Sequence, residues 1–389
     1  MWAFYRWFFI ALPVRHIEHD AFLQILNEQE AAYLHWIRRR AMWLGALSAL
    51  ICNVLLFAPL QLAPHLFPLT VLKLPFFAEP VPLPIIKTAW MGFLIFLEIV
   101  LLTLLNIAAV HEVAVATGYI NEKTEVARTN DVLRIALATP SQELQGFGID
   151  PFQGVNRFAL LFYNALLLFK GAIMAQLLRQ ILIRLLGGYT VLEVLDWSGV
   201  PIYMTLNALG ARKVVHQSLL IIMGEAVILN FRRRLLPRAL TAEESALLYD
   251  TLQFIAVNKR DYHRNHYTLT RVLFNFYQVP PEEKHPLPDD YEMRLNSSPE
   301  YIRRLCVVII HLGFVLDGAL SWRERGRIAR MQARGIFEES FEDVYQYDND
   351  FVQGRGMVRL WDRYFPPLEN ALNPFLQDEV PDEEETEDS

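Results

Sequence analysis

Positions 41–60 form a long, predominantly apolar run, and Arg38, Arg39 and Arg40 stand directly before it. The run holds no charged residue, and as a helix rising about 1.5 Å per residue it spans a hydrocarbon core about 30 Å thick. Further apolar runs follow, and a second arginine triplet at 232–234 closes the last of them. The pattern therefore predicts a membrane domain over residues 41–231, with helical spans near 41–60, 88–110, 158–178 and 214–231.

The two arginine triplets predict the topology, because basic clusters beside membrane spans tend to stay on the cytoplasmic side. Both triplets then lie on one side, which requires an even number of crossings between them. We expect the N-terminus, the segment 111–157 and the C-terminus to be cytoplasmic. Residues 187–213 stay open between an outer loop and a partly embedded segment, and a separate crossing by 189–211 would give five spans.

The first forty residues precede the membrane domain and combine aromatic with polar residues. Residues 1–12 are rich in Trp, Tyr and Phe, which favour the headgroup layer, so we expect a helix lying on the cytoplasmic face. A polar-faced helix over 16–37 leads into the first span. After that span, seven prolines between positions 59 and 84 exclude a regular helix.

Residues 232–377 have the period and the caps of a cytoplasmic helical bundle. Thr241 and Glu244 form a capping box for a helix to about 257, and a second helix covers about 264–277. Ser298 and Pro299 open a further helix. Its apolar stretch 305–320 is predicted as a buried helix, with a membrane crossing as the alternative. The predicted fold class is all-α, a multi-pass membrane helix bundle followed by this helical domain.

Charge and motif content narrow the function classes. The net charge of −7 comes from residues 378–389, which hold eight acids and no base and are predicted to be disordered. Basic residues flank the spans instead of forming one stripe, which argues against nucleic-acid binding. Cys52 and Cys306 lie in apolar helices and predict neither a disulfide nor a metal site. Nucleotide-binding and zinc-protease motifs are absent from the sequence, so we predict a protein without enzymatic activity or cofactor.

Three ionisable residues lie deep inside predicted spans, namely Glu98, Lys170 and Glu225. A charge at the centre of a membrane helix costs about 2.5–3.5 kcal/mol on insertion scales, so each needs a partner or a water-filled cavity. We predict that Lys170 pairs with Glu98 or with Glu225. Such a pair either locks the helix bundle or belongs to an ion or proton path.

One turn carries a more specific pattern, in which an apolar helix is followed by Asp317, Gly318, Leu320, Ser321 and Glu324. This arrangement resembles the turn of TerB-like domains, the helical modules named for tellurite resistance, and the resemblance covers about residues 241–336. It implies a role in bacterial envelope or metal stress and a cation site that uses Asp317 and Glu324. The corresponding place in the first helical pair, residues 258–261, lacks the Asp-Gly. As an alternative, Asp317 and Glu324 serve only as helix caps.

Taken with the resemblance, the sequence predicts an integral protein of a bacterial cytoplasmic membrane. Its cytoplasmic domain, over 232–377, is expected to act as an interaction or stress-response module. The expected partners are the lipid bilayer and a protein, with a divalent cation at the acidic turn as a further candidate. The alternative function is a small ion or proton transporter that uses Glu98, Lys170 and Glu225.

Overall fold

A computed structural model describes residues 2–14, 26–68, 70–72, 81–83, 85–120, 125–137, 147–149, 192–259, 263–282 and 285–365. The predicted third span at 158–178, with Lys170, lies outside these residues. So do the acidic tail and most of the first half of the helix predicted over 16–37.

The described residues are predominantly helical, as the sequence predicts. The helices are α1 (Trp2–Ile10), α2 (Glu28–Leu62), α3 (Ile85–Ala116), α4 (Glu125–Ala136), α5 (Leu192–Arg234), α6 (Ala242–Lys259), α7 (Arg264–Tyr277), α8 (Tyr291–Ser297), α9 (Glu300–Val315), α10 (Trp322–Ala333), α11 (Phe341–Val352) and α12 (Val358–Tyr364). In the proline-rich stretch after α2, a short 3-10 helix (Pro64–Leu66) precedes two three-residue strands, β1 (Thr70–Leu72) and β2 (Val81–Leu83). These strands pair antiparallel, with Val71 opposite Pro82.

Three of the described helices are long and apolar enough to cross a membrane, namely α2, α3 and the Val200–Arg234 part of α5. The predicted spans at 41–60 and 88–110 lie inside α2 and α3. Pro59 does not end α2, which continues to Leu62. Proline has no N–H to bond the Leu55 carbonyl oxygen, and that oxygen instead accepts a hydrogen bond from Trp90 Nε1 at 3.2 Å. The described part of the chain is therefore consistent with a multi-pass membrane protein.

Helix α5 joins two stretches that the sequence analysis separates, since it runs for 43 residues from Leu192 to Arg234. Residues 192–213 are helical and continuous with residues 214–234, so they do not form an irregular loop. Several large apolar side chains before Arg212 are exposed, whereas most of those after it are buried. The exposed ones are Tyr203, Leu206 and Leu209, and the buried ones include Leu220, Ile222, Val227, Ile228 and Phe231.

The chain divides into two compact units, and α5 runs through both. Unit 1 comprises Met1–Leu12, His35–Glu112 and Val155–His216. Unit 2 comprises Pro13–Leu34, Val113–Gly154 and Gln217–Ser389.

In unit 1, α2 contacts both α3 and α5. Arg40 forms an ion pair with Glu112, with an N–O distance of 2.5 Å. Gly45 permits a close approach to α5, because a Cβ atom there would lie 2.9 Å from the Asn207 carbonyl oxygen. Apolar side chains such as Ile51, Phe93 and Phe96 point outward and are exposed. This pattern is typical of helices surrounded by lipid.

In unit 2, α9 is the central helix and packs against α6, α8, α11 and α12. Ile302, Leu305, Cys306, Ile309 and Ile310 on it are all completely buried. Protein therefore covers the apolar stretch of α9, which favours a core helix over a fifth crossing. The helix starts at Glu300 with Pro299 as its N-cap, one residue later than the pattern predicts.

Two further helix starts test the capping predictions. Thr241 and Glu244 form the predicted reciprocal bonds, with donor–acceptor distances of 3.0 and 3.2 Å. Asn130 and Asp131 stand before the segment 132–138 and predict a helix start there, which is wrong, because α4 begins at Glu125 and Asn130 is an exposed residue inside it. An asparagine side chain that faces solvent is tolerated within a helix and then caps nothing.

Candidate functional site

The candidate site is built around the turn between α9 and α10. After α9 ends at Val315, Gly318 adopts a left-handed conformation with φ +64°, as its sequence position predicts. Ser321 precedes the first residue of α10, and its backbone N–H donates to Glu324 Oε2 at 2.6 Å. The backbone N–H of Ala319 donates to Asp317 Oδ1 at 3.3 Å. Both acids named in the sequence analysis therefore help to fix the turn.

The ammonium group of Lys259, at the end of α6, lies between these two carboxylates. Its Nζ is 2.8 Å from Asp317 Oδ2, 2.6 Å from Glu324 Oε1 and 2.9 Å from the Phe314 carbonyl oxygen. The side chain of Lys259 is only 3% exposed. An ammonium has three N–H donors, and this set of acceptors satisfies all three.

This geometry bears directly on the cation site that the TerB-like resemblance implies. Lys259 belongs to the turn that lacks the Asp-Gly, and its own positive charge lies between Asp317 and Glu324. A divalent cation bound by both acids would have to displace that ammonium. Among the described residues, no group of three or more His, Cys, Asp or Glu side chains is arranged to hold a metal ion.

Asp348 on α11 faces the same cluster and is a residue that the sequence analysis missed. It is 7% exposed, and its Oδ1 has no hydrogen-bond partner within the described part of the chain. Burial raises the pKa of this carboxyl to about 7, with a further contribution from the negative charge of Asp317. The pKa of Asp317 is also raised by burial, although Lys259 opposes that shift. The cluster therefore contains a carboxyl that changes charge near neutral pH.

The turn packs tightly against the second half of α5. A Cβ atom at Gly318 would lie 2.7 Å from Leu220, so only glycine fits there. Asn265 on α7 links the same elements, because its Nδ2 donates to the carbonyl oxygens of Leu220 at 2.9 Å and Leu316 at 2.7 Å. Gly224 leaves room for that amide, since a Cβ atom there would lie 2.1 Å from it. The turn, α5 and α7 are therefore held together by directional bonds.

A second polar cluster in unit 2 joins the linker before α8 to α6. His285 bonds Asp250 Oδ1 at 2.7 Å through Nε2 and Glu282 Oε2 at 2.8 Å through Nδ1, and Arg294 bonds Asp250 Oδ2 at 2.8 Å. Burial lowers the pKa of His285, but hydrogen bonds to the two carboxylates outweigh it and raise the pKa overall. No local motif marks these four residues, because the cluster forms only when the linker folds back.

The intramembrane charges named in the sequence analysis have neutral partners where they are described. Glu98 Oε1 accepts a hydrogen bond from Asn207 Nδ2 at 2.7 Å in unit 1. Glu225 Oε2 accepts one from the hydroxyl of Tyr119 at 3.1 Å in unit 2. Because Lys170 lies outside the described residues, its pairing with either acid stays a prediction.

No protein-family model, curated protein or solved structure matches this chain. The resemblance to TerB-like domains therefore stays a prediction that the turn residues carry.

Proposed function

We propose that this chain is a membrane-anchored interaction protein without enzymatic activity, in which unit 2 binds a protein partner on the cytoplasmic side. The observation that carries the proposal is an exposed aromatic patch on α10 and α11. We define this aromatic patch as Trp322, Arg325, Phe341 and Tyr345. Trp322 is 85% exposed and Tyr345 is 54% exposed.

Three side chains of the aromatic patch, Arg325, Phe341 and Tyr345, contact one another in sequence. The Arg325 guanidinium lies 5.2 Å from the centre of the Phe341 ring, and the Phe341 and Tyr345 rings stack at 6.2 Å. Trp322 and Arg325 are three residues apart on α10 and so share a helix face. Trp, Tyr and Arg are the residues that dominate binding energy at protein interfaces, which supports a protein partner at this surface.

The topology of the proposal differs from the sequence prediction in the position of the last crossing. We propose that α5 crosses the membrane with residues 192–211 and that residues 217–234 belong to unit 2 on the cytoplasmic side. Two observations support this. The exposed apolar side chains of α5 precede Arg212, and Arg212 and Lys213 follow the proposed span as basic residues do on the cytoplasmic side.

We infer that the acidic turn, Asp317 to Glu324, stabilises the fold of unit 2 and does not bind a ligand. Lys259 neutralises part of its charge from inside the fold, and its bonds to Asp317 and Glu324 connect α6 with α10. A role in envelope or metal stress is implied by the TerB-like resemblance alone.

The aromatic patch can be tested in cells that express the full-length chain. A photo-crosslinking residue placed at Arg323, beside the patch, should give discrete crosslinked products. Trp322→Ala and Tyr345→Ala should each reduce those products about tenfold, as expected for interface hot spots. Met293→Ala is the matched control, because Met293 is an apolar residue of unit 2 that is 69% exposed and lies on α8. Equal products from all variants would contradict the proposal.

The transporter alternative is favoured by one observation, the carboxyl of Glu98 in the apolar part of α3 with a hydrogen bond from an amide. Purified protein in liposomes should then conduct protons or cations, and Glu98→Gln should abolish the flux. The interaction proposal instead expects flux no greater than that of empty liposomes, with intact crosslinking.

A further inference from the structure

Two basic side chains of unit 1 lie on α2 and α5, helices that approach each other closely at Gly45 and Asn207. Arg38 on α2 and Arg212 on α5 are close enough for each to feel the repulsion of the other's charge, and His216 feels both. The Nε of Arg38 is buried and has no hydrogen-bond partner within the described part of the chain. A buried guanidinium nitrogen without an acceptor is costly, so the arrangement lacks a negative group.

The neighbouring arginine on the same helix shows what a completed contact looks like. Arg40 bonds Glu112 at 2.5 Å, and its guanidinium lies 4.6 Å from the centre of the Trp36 ring. Nothing similar is formed by Arg38 or Arg212 among the described residues. Arg40 differs from Arg38 in having an acid beside it, since Glu112 on α3 forms its ion pair with Arg40.

The place of this pair along the helices indicates the source of the negative group. Arg38 directly precedes the apolar run of α2, and Arg212 directly follows the stretch of α5 with exposed apolar side chains. Trp36 and Trp43, both exposed, flank Arg38 on α2. Tryptophan is enriched where a helix passes the lipid headgroups, so the pair lies at headgroup depth.

We propose that Arg38 and Arg212 form a phosphate-binding site that takes the headgroup phosphate of an anionic phospholipid. Guanidinium groups bind phosphate oxygens through two parallel N–H bonds, and two arginines from different helices can hold one phosphate between them. A bound phosphate would accept the bond that Arg38 Nε lacks and would neutralise the repulsion. The lipid would thereby hold α2 and α5 together at the membrane surface.

The test uses full-length protein in an uncharged detergent, titrated with phosphatidylglycerol, with phosphatidylcholine or with inorganic phosphate. Thermal unfolding and native mass spectrometry are the readouts. We expect phosphatidylglycerol to raise the Tm and to stay bound, with Arg38→Gln weakening its apparent affinity about tenfold, the value of one lost charged contact. Arg212→Gln removes an exposed side chain, so it keeps the fold and should weaken binding to the same degree.

Arg39→Gln is the matched control, because Arg39 is exposed, belongs to the same triplet and carries the same charge. It should keep affinity within about twofold. An equal loss in Arg39→Gln and Arg38→Gln would show diffuse surface attraction and overturn the site, as would the absence of any Tm rise. If inorganic phosphate gives the same rise, with the same dependence on Arg38 and Arg212, the site stands and its ligand is free phosphate.

Discussion

The two halves of α5 are both rich in apolar residues and have opposite surroundings. Before Arg212, Tyr203, Leu206 and Leu209 are exposed, whereas after it Leu220 and Phe231 are buried in unit 2. Hydropathy reports that a helix avoids water, but it does not report whether lipid or protein covers that helix. A basic pair in mid-helix, Arg212 and Lys213, coincides with this change in exposure, which hydropathy alone does not reveal.

A second contrast concerns the partners of ionisable residues in the two units. Glu98 in unit 1 accepts a hydrogen bond from an amide, whereas Lys259 in unit 2 is surrounded by two carboxylates and a carbonyl. The predictions below measure how far these environments differ.

The largest effect is expected for Lys259→Met. The substitution leaves Asp317 and Glu324 buried without their cation, and breaking such a pair costs about 3–5 kcal/mol. Lys213→Met is the control, because Lys213 is exposed and the change should lie within about 0.5 kcal/mol. Denaturant unfolding of the full chain in detergent measures both. A loss below about 1 kcal/mol for Lys259→Met would mean that water reaches the turn.

The second effect compares the two halves of α5 directly. Phe231 is 1% exposed and stacks on Trp361 with ring centres 5.7 Å apart, so Phe231→Ala should cost about 3 kcal/mol. Leu206 is 57% exposed, and Leu206→Ala should change stability by less than about 0.5 kcal/mol. Similar losses at the two positions in detergent would show that protein also covers the first half of α5.

The structural features that were predicted correctly from the sequence are local ones. The helix at 264–277, the Thr241–Glu244 box and the left-handed Gly318 each depend on residues within one turn of chain. Asp317 and Glu324 were found for the same reason, since they belong to one contiguous motif.

The residues that were missed depend on contacts between distant segments. Lys259 is 58 residues from Asp317, and His285 is 35 residues from Asp250. Asp348 acquires its shifted pKa only because α11 places it beside the turn. The change of exposure within α5 was not predicted from the sequence, because lipid-facing and protein-covered surfaces select the same apolar residues.

The third prediction concerns pH and Asp348. Its folded pKa of about 7 lies above the usual value, so the folded state binds this proton more tightly than the unfolded state does. Its contribution is fully present below the unfolded pKa, near 4, and is lost as pH rises through 7. Asp348→Asn, measured from pH 4.5 to 8, should remove a slope of roughly 1 kcal/mol per pH unit and stabilise the protein at pH 8.

Asp350→Asn is the control for this prediction. Asp350 is a nearby acid whose carboxylate faces Arg355 and Arg359. It should leave the pH slope of the wild-type protein in place. If Asp348→Asn and the wild type have parallel stability profiles, Asp348 is solvated and does not titrate with the cluster.

The smallest effect is expected for Glu98→Gln. Glutamine has the same length as glutamate, and its side-chain oxygen can still accept the bond from Asn207, so the loss should be below about 1 kcal/mol. The smaller loss of stability than in Lys259→Met would show that the neutral amide of Asn207 is a sufficient partner for Glu98, whereas Lys259 requires two carboxylates.

A loss of about 3 kcal/mol or more would instead indicate an ionised Glu98 with a cationic partner. Lys170→Met should then cause a similar loss, and the double variant should recover much of it, because removing both charges strands neither. Thermal unfolding of the three variants in one detergent decides between these outcomes.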